Sequence, residues 1–241
     1  MDYLSAFTTI VTFIFMVSVF RRYLARRHPY LLVWSLGLLL YGLGTLGEVV
    51  LSLTFSAGML KIWYLSGAML TAAWLGQGTV YLLVRRRGVA PALAGVLGAA
   101  SLAAIGLVMA APVTAAAAAY QLQVPVSTQY QAVLVRSGGI VALTILLNIY
   151  GTIGLIGGAI YSGYLFWRKK VLLNRVVGNL LIAAGALAPA MAGSFIKAGL
   201  TDMLYVSEFV GAVVMYLGFL QASARPAETP AAAQEAVKAA K

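Results

Sequence analysis

The chain contains no cysteine. That excludes disulfides, thiolate metal sites, iron–sulfur clusters and cysteine nucleophiles. It has one histidine, His28, set against Arg26, Arg27 and Pro29. One loop histidine cannot supply a membrane haem pair or a histidine-rich zinc site. Charge is scarce as well: charged residues make up 10% of the 241, with only 6 acidic residues against 17 basic ones. A soluble domain carries about a quarter charged residues, and so sparse a set cannot wet a globular surface. Nucleotide loops, nucleophile elbows and HExxH motifs are missing too. The sequence therefore offers no enzyme, no cofactor and no metal.

What remains is apolar. Hydrophobic residues are 62% of the chain, and the mean hydropathy is +0.92. These values predict an all-α integral membrane protein. Seven apolar segments stand out, at 3–20, 30–55, 62–84, 89–111, 137–167, 176–196 and 203–221. At 1.5 Å per residue each is long enough to cross a hydrocarbon core of about 30 Å. The first segment is followed, not preceded, by its basic cluster, so it reads as a membrane helix and not as a signal peptide. Residues 1–222 form the membrane domain, and the Ala-, Pro- and Glu-rich stretch 223–241 reads as a short disordered tail.

The basic residues give orientation. Arg21, Arg22, Arg26 and Arg27, then Arg85, Arg86 and Arg87, then Arg168, Lys169, Lys170 and Arg175 fall on one side, joined by Arg225, Lys238 and Lys241 in the tail. Only Lys61, Arg136 and Lys197 fall on the other. This places the N-terminus outside and the C-terminus in the cytoplasm of an inner (plasma) membrane. The net charge of +11 then reads as contact with anionic lipid on the cytoplasmic side, and not with nucleic acid.

Two carboxylates lie within apolar spans, where such groups usually face a bundle interior. Glu48 sits about 27 Å along the second span from the inner side, and Glu208 about 8 Å into the last span from the outer side. Both belong to the outer half, with Lys197 and Arg136 as candidate partners. Gln77, Asn148 and Trp74 are further candidates for lining a pocket, and Asn174 and Asn179 for bonds between helices. Gly154 and Gly158 form a GxxxG pair suited to close helix packing. Pro189 is expected to kink the sixth span. Trp63 and Trp167 read as interfacial anchors. The outer stretch 112–136 alternates like a strand near Tyr120–Tyr130, but Pro125 interrupts it, so it reads as a surface loop or short hairpin, with a binding lid as the alternative.

An internal repeat is faintly visible. Trp63-Tyr-Leu-Ser66 and Trp74-Leu-Gly-Gln77 echo Leu204-Tyr-Val-Ser207 and Tyr216-Leu-Gly-Phe219. A three-plus-one-plus-three plan, as in parallel-repeat carriers, would explain it. The stretches Arg27-His-Pro-Tyr-Leu-Leu-Val-Trp-Ser-Leu-Gly37, Tyr41-Gly-Leu-Gly-Thr-Leu-Gly-Glu48 and Lys61-Ile-Trp-Tyr-Leu-Ser-Gly-Ala-Met-Leu70 resemble the seven-helix N-terminal membrane sensor region of bacterial histidine kinases. The likeness covers about the first third of the chain, and no kinase domain follows. The plan is also similar to that of microbial rhodopsins, but the last span lacks the retinal lysine.

The expectation is a non-enzymatic, receptor-like or accessory membrane protein. It would bind a small or lipidic ligand or a membrane partner, such as another subunit or a second copy. A small-solute carrier and a structural subunit of a larger complex are the alternatives. The orientation is directly testable. A cysteine placed in the Arg85–Gly88 loop of this cysteine-free chain should react with a membrane-impermeant thiol reagent only after the cells are opened. Reaction in intact cells would reverse the topology.

Overall fold

The computed structural model describes residues 2–168, 173–191 and 202–224. Lys197, the tail beyond residue 224 and the segment 192–201 lie outside the described residues. Among the described residues eight helices follow in order: α1 (Asp2–Arg26), α2 (Pro29–Leu53), α3 (57–83), α4 (Val89–Ala110), short α5 (Val126–Val133), α6 (Gly138–Arg168), α7 (Leu173–Ala190) and α8 (Asp202–Ser223). Among the described residues there is no sheet, only an isolated antiparallel bridge between Val113 and Leu134. Five helices, α1, α2, α4, α6 and α8, are long and apolar enough to cross a membrane. The chain is a multi-pass helical membrane protein.

Local chemistry explains most boundaries. Pro29 opens α2, where its missing N–H costs nothing. Ser56 caps the start of α3 by accepting from the Met59 N–H, and Ser137 caps α6 by accepting from the Ile140 N–H. Gly88, at φ +83°, makes the left-handed turn into α4. Each of α3 and α6 is broken by a π-helical turn, at Tyr64–Leu70 and Ile153–Gly157. In the first, Thr71 compensates by giving both its N–H and its hydroxyl to the Ser66 carbonyl.

Six helices close into a ring: α1 packs on α2, α2 on α3, α3 on α6, α6 on α7, α7 on α8, and α8 on α1. α4 stands outside the ring against α3 and α6, and its Val96 and Leu102 are 68% and 72% exposed. Glycine sets the tightest contacts. A Cβ on Gly44 would lie 2.7 Å from the Gly67 Cα, joining α2 to α3. A Cβ on Gly151 would lie 2.2 Å from the Ala72 carbonyl carbon, joining α6 to α3. Gly185 and Gly211 do the same between α7 and α8. The Gly154–Gly158 pair faces α3 of the same chain, meeting Gly76 and Thr79. Polar ties add to this: Asn179 donates to the Ser162 hydroxyl at 2.9 Å, and Gln221 donates to Asn174 at 3.4 Å.

The half of the ring near Arg22 is filled. Phe15, Leu31, Trp34, Leu38 and Phe219 are buried together there, and the Arg22 guanidinium lies 5.0 Å over the Phe219 ring. The stretch 112–136, expected as a surface loop or short hairpin or else a lid, is partly helical and is pinned at its ends by the Val113–Leu134 bridge. It forms a 3-10 turn at Ala115–Ala119 and then α5, because Pro125 sits at the N-cap of α5, where it loses no ladder hydrogen bond.

Close packing at Gly151 gives a clean prediction. Gly151→Ala should cost about 1–3 kcal/mol through overpacking, read as a lower thermal midpoint in detergent. Gly157→Ala, where a Cβ meets nothing within 4 Å, should leave the midpoint unchanged or slightly raised. Equal behaviour of the two variants would contradict the α3–α6 crossing.

Candidate ligand-binding cavity

Toward the other end of the ring, beside the 112–136 segment, the described residues leave space. A cavity of about 610 Å³ lies between the helices, within the range that holds a drug-sized molecule. α2, α3, α6, α7 and α8 form its walls, and α5 contributes Ser127, Tyr130 and Gln131 at one end. Both π-helical turns reach it, through Gly67 and Ala68 on α3 and Leu155 and Ile156 on α6. Such turns free backbone groups and shift side chains, and they recur at functional sites.

Glu48 and Glu208 meet in this cavity. Glu48 is 7% exposed. Its Oε2 accepts from the Ser5 hydroxyl at 3.0 Å, and its Oε1 accepts from the Trp63 indole N–H at 3.3 Å. The Glu208 carboxyl faces the Glu48 carboxyl within hydrogen-bonding reach. Its Oε2 is buried and receives no hydrogen bond from another described residue. Tyr41 braces α8 at this point by donating to the Glu208 backbone carbonyl at 3.0 Å. Below the pair, Thr9 donates to the Thr45 hydroxyl at 2.9 Å and continues the polar seam between α1 and α2.

The cap over this region is built, not loose. Gln129 fastens it: its Nε2 donates to the carbonyls of Gln121 and Val124, and its Oε1 accepts from the Gln121 N–H. Tyr130 sets its ring 5.3 Å from Trp63 and 5.6 Å from Tyr64, and the Arg136 guanidinium lies 4.9 Å from the centroid of the same ring. Tyr120 stacks on Phe55 at 4.8 Å. Burial in the cap, and then the Glu48 charge, push the Tyr120 phenol up to about 12, so it stays neutral at ordinary pH. A small cleft of about 10 Å³ lies between Tyr120, Gln123, Tyr205 and Glu48, close to the space of one water.

The candidates named from the sequence divide. Glu48, Glu208 and Asn148 line the cavity. Asn148 donates to the Ala68 and Thr144 carbonyls, the first of these within the α3 π-turn. Arg136 is spent on Tyr130. Trp74 points to α4 and donates to the Ser101 hydroxyl at 3.2 Å. Gln77 is fully buried away from the cavity; it donates to the Ala90 carbonyl and accepts from the Tyr150 hydroxyl. Lys197 is outside the described residues. Trp63 is corrected from interfacial anchor to buried carboxylate donor, 6% exposed. Its position near a span boundary had suggested an anchor, but the cap covers that boundary. Pro189 lines the cavity and packs its Cδ where a Gly211 Cβ would stand. Ser5, Tyr41 and Tyr130 were not singled out, since nothing in their local pattern marks them. No protein-family model, curated protein or solved structure matches this chain.

Gln77 behaves as a structural tie. Gln77→Leu should cost about 1–3 kcal/mol by leaving the Ala90 carbonyl and the Tyr150 hydroxyl unpaired, while Tyr150→Phe should cost less. A Gln77→Leu protein of unchanged thermal midpoint would contradict that role.

Proposed function

We propose that the chain is a non-enzymatic, receptor-like membrane protein that binds a small or lipidic ligand in the outer half of a seven-helix bundle. The observation that supports this most is the 610 Å³ cavity that converges on two buried carboxyl groups. α3 and α7 complete the seven spans beside the five long ones, since both are members of the same ring. The basic clusters orient the filled inner half toward the cytoplasm of the plasma membrane, next to anionic lipid. A ligand then enters from the outer leaflet or the outer solution. The plugged inner half, built around Trp34 and Phe219, favours binding over free passage.

A carrier is the second reading, and a specific observation favours it. Gly37 and Gly44 recur as Gly178 and Gly185, each 141 positions later. Gly44 and Gly185 both sit at close helix crossings, α2 on α3 and α7 on α8. α4, outside the ring of six, is the odd helix out, as a three-plus-one-plus-three plan requires.

The test uses purified protein and a panel of lipid extracts and small metabolites. A true ligand should stabilise the wild type by about 2.7 kcal/mol at a hundredfold excess over its Kd. Ala72→Phe, which fills the cavity, should abolish that stabilisation. Stabilisation that survives Ala72→Phe would move the binding site elsewhere. Uptake into sealed proteoliposomes would replace the receptor reading by the carrier.

A further inference from the structure

We propose that the cavity's ligand is an organic cation, an ammonium group on an apolar body, with the ammonium seated between Glu48 and Glu208. The proposal rests on the reading of the cavity as a binding site. Two carboxyl groups side by side at membrane depth require a neutralising partner, either a proton held between them or a cation. Among the described residues, no Lys, Arg or His lines the cavity. The Glu48 oxygens are each committed to one neutral donor, Ser5 and Trp63. No hydroxyl or N–H of another described residue reaches the buried Oε2 of Glu208, whose carboxyl lies beside that of Glu48. That oxygen is the acceptor that a ligand N–H would satisfy.

The walls choose between kinds of cation. A hard divalent ion takes six to eight oxygen ligands, and no group of three or more metal-binding side chains exists among the described residues. The cavity lining instead brings Trp63 and Tyr41 to the two acidic residues and adds Tyr130 beside Trp63, with apolar Leu75, Leu155 and Met215 elsewhere on the walls. Aromatic rings attract an organic ammonium, and the apolar floor takes the rest of the molecule out of water. The volume of about 610 Å³ is far more than a bare metal ion or ammonium needs. The ligand class is therefore an amine with an apolar or aromatic body.

The experiment uses the full chain in lipid nanodiscs and two fluorescent probes, monodansylcadaverine and its N-acetylated neutral form. The amine should bind, with enhanced and blue-shifted dansyl emission. The neutral form should bind at least about tenfold more weakly, since it leaves the carboxyl pair unmatched. Glu208→Gln and Glu48→Gln should each weaken the amine by about tenfold or more and leave the neutral probe unchanged. Ala72→Phe should abolish both signals. The wild-type comparison needs no variant, so a misfolded mutant does not rescue the idea. Equal binding of the two probes, abolished by Ala72→Phe, would overturn the cation and keep the cavity as a site. Amine binding seen only in Lys197→Met would show that a lysine of the chain is the resident cation, and would also overturn the proposal. Binding of neither probe would overturn it, and the ligand panel with Ala72→Phe would then decide the broader reading separately.

Discussion

Close approach of helix backbones at glycine governs this structure. Lipid chains are as apolar as leucine, so helices in a membrane gain little from burying leucine against leucine. They gain from dispersion over closely fitted surfaces and from polar ties. At Gly44–Gly67, Gly151–Ala72 and Gly185–Gly211 a single methyl group would collide with the neighbouring backbone. These crossings hold α2, α3 and α6 as one wall and α7 with α8 as another. Between these walls the described side chains leave the cavity.

The same constraint explains the π-turns and the polar seam. Gly67 sits inside the α3 π-turn and also against Gly44. The widened turn exposes the Ala68 carbonyl, which Asn148 reaches from α6. On the other flank, α1 is tied to α2 by Ser5–Glu48 and Thr9–Thr45. A carboxyl group is expensive at this depth and persists where neighbours supply donors. Glu48 is supplied on both oxygens. Glu208 is not, and that asymmetry is the chemical content of the site.

Much of this was legible in the sequence, and the reasons for the rest are physical. The helical class and five of the seven expected spans followed from apolar runs, and the close packing of Gly154 and Gly158 from their spacing. Glu48 and Glu208 stood out because carboxylates are rare in apolar spans. Their meeting across α2 and α8 is a matter of rotation about helix axes, which low amphipathicity leaves unmarked. Trp63 looked like an anchor because its role depends on a cap more than sixty residues away. The cap itself read as strand-like, since alternation in a short stretch cannot show that its Gln129 would tie it into a helical lid. Gln77 and Trp74 are polar in apolar spans like Asn148, yet they serve α4 and not the cavity, a distinction only the packing makes.

The central claim is that Glu48 and Glu208 face one another across one cavity. The chain's lack of cysteine allows a direct measurement with Glu48→Cys and Glu208→Cys in one protein. Dibromobimane becomes fluorescent when both of its arms react with thiols. The account predicts a fluorescent, doubly alkylated product within a single chain for the double variant, and none for either single variant. Two independently modified cysteines, with no bridged product in the folded double variant, would contradict it.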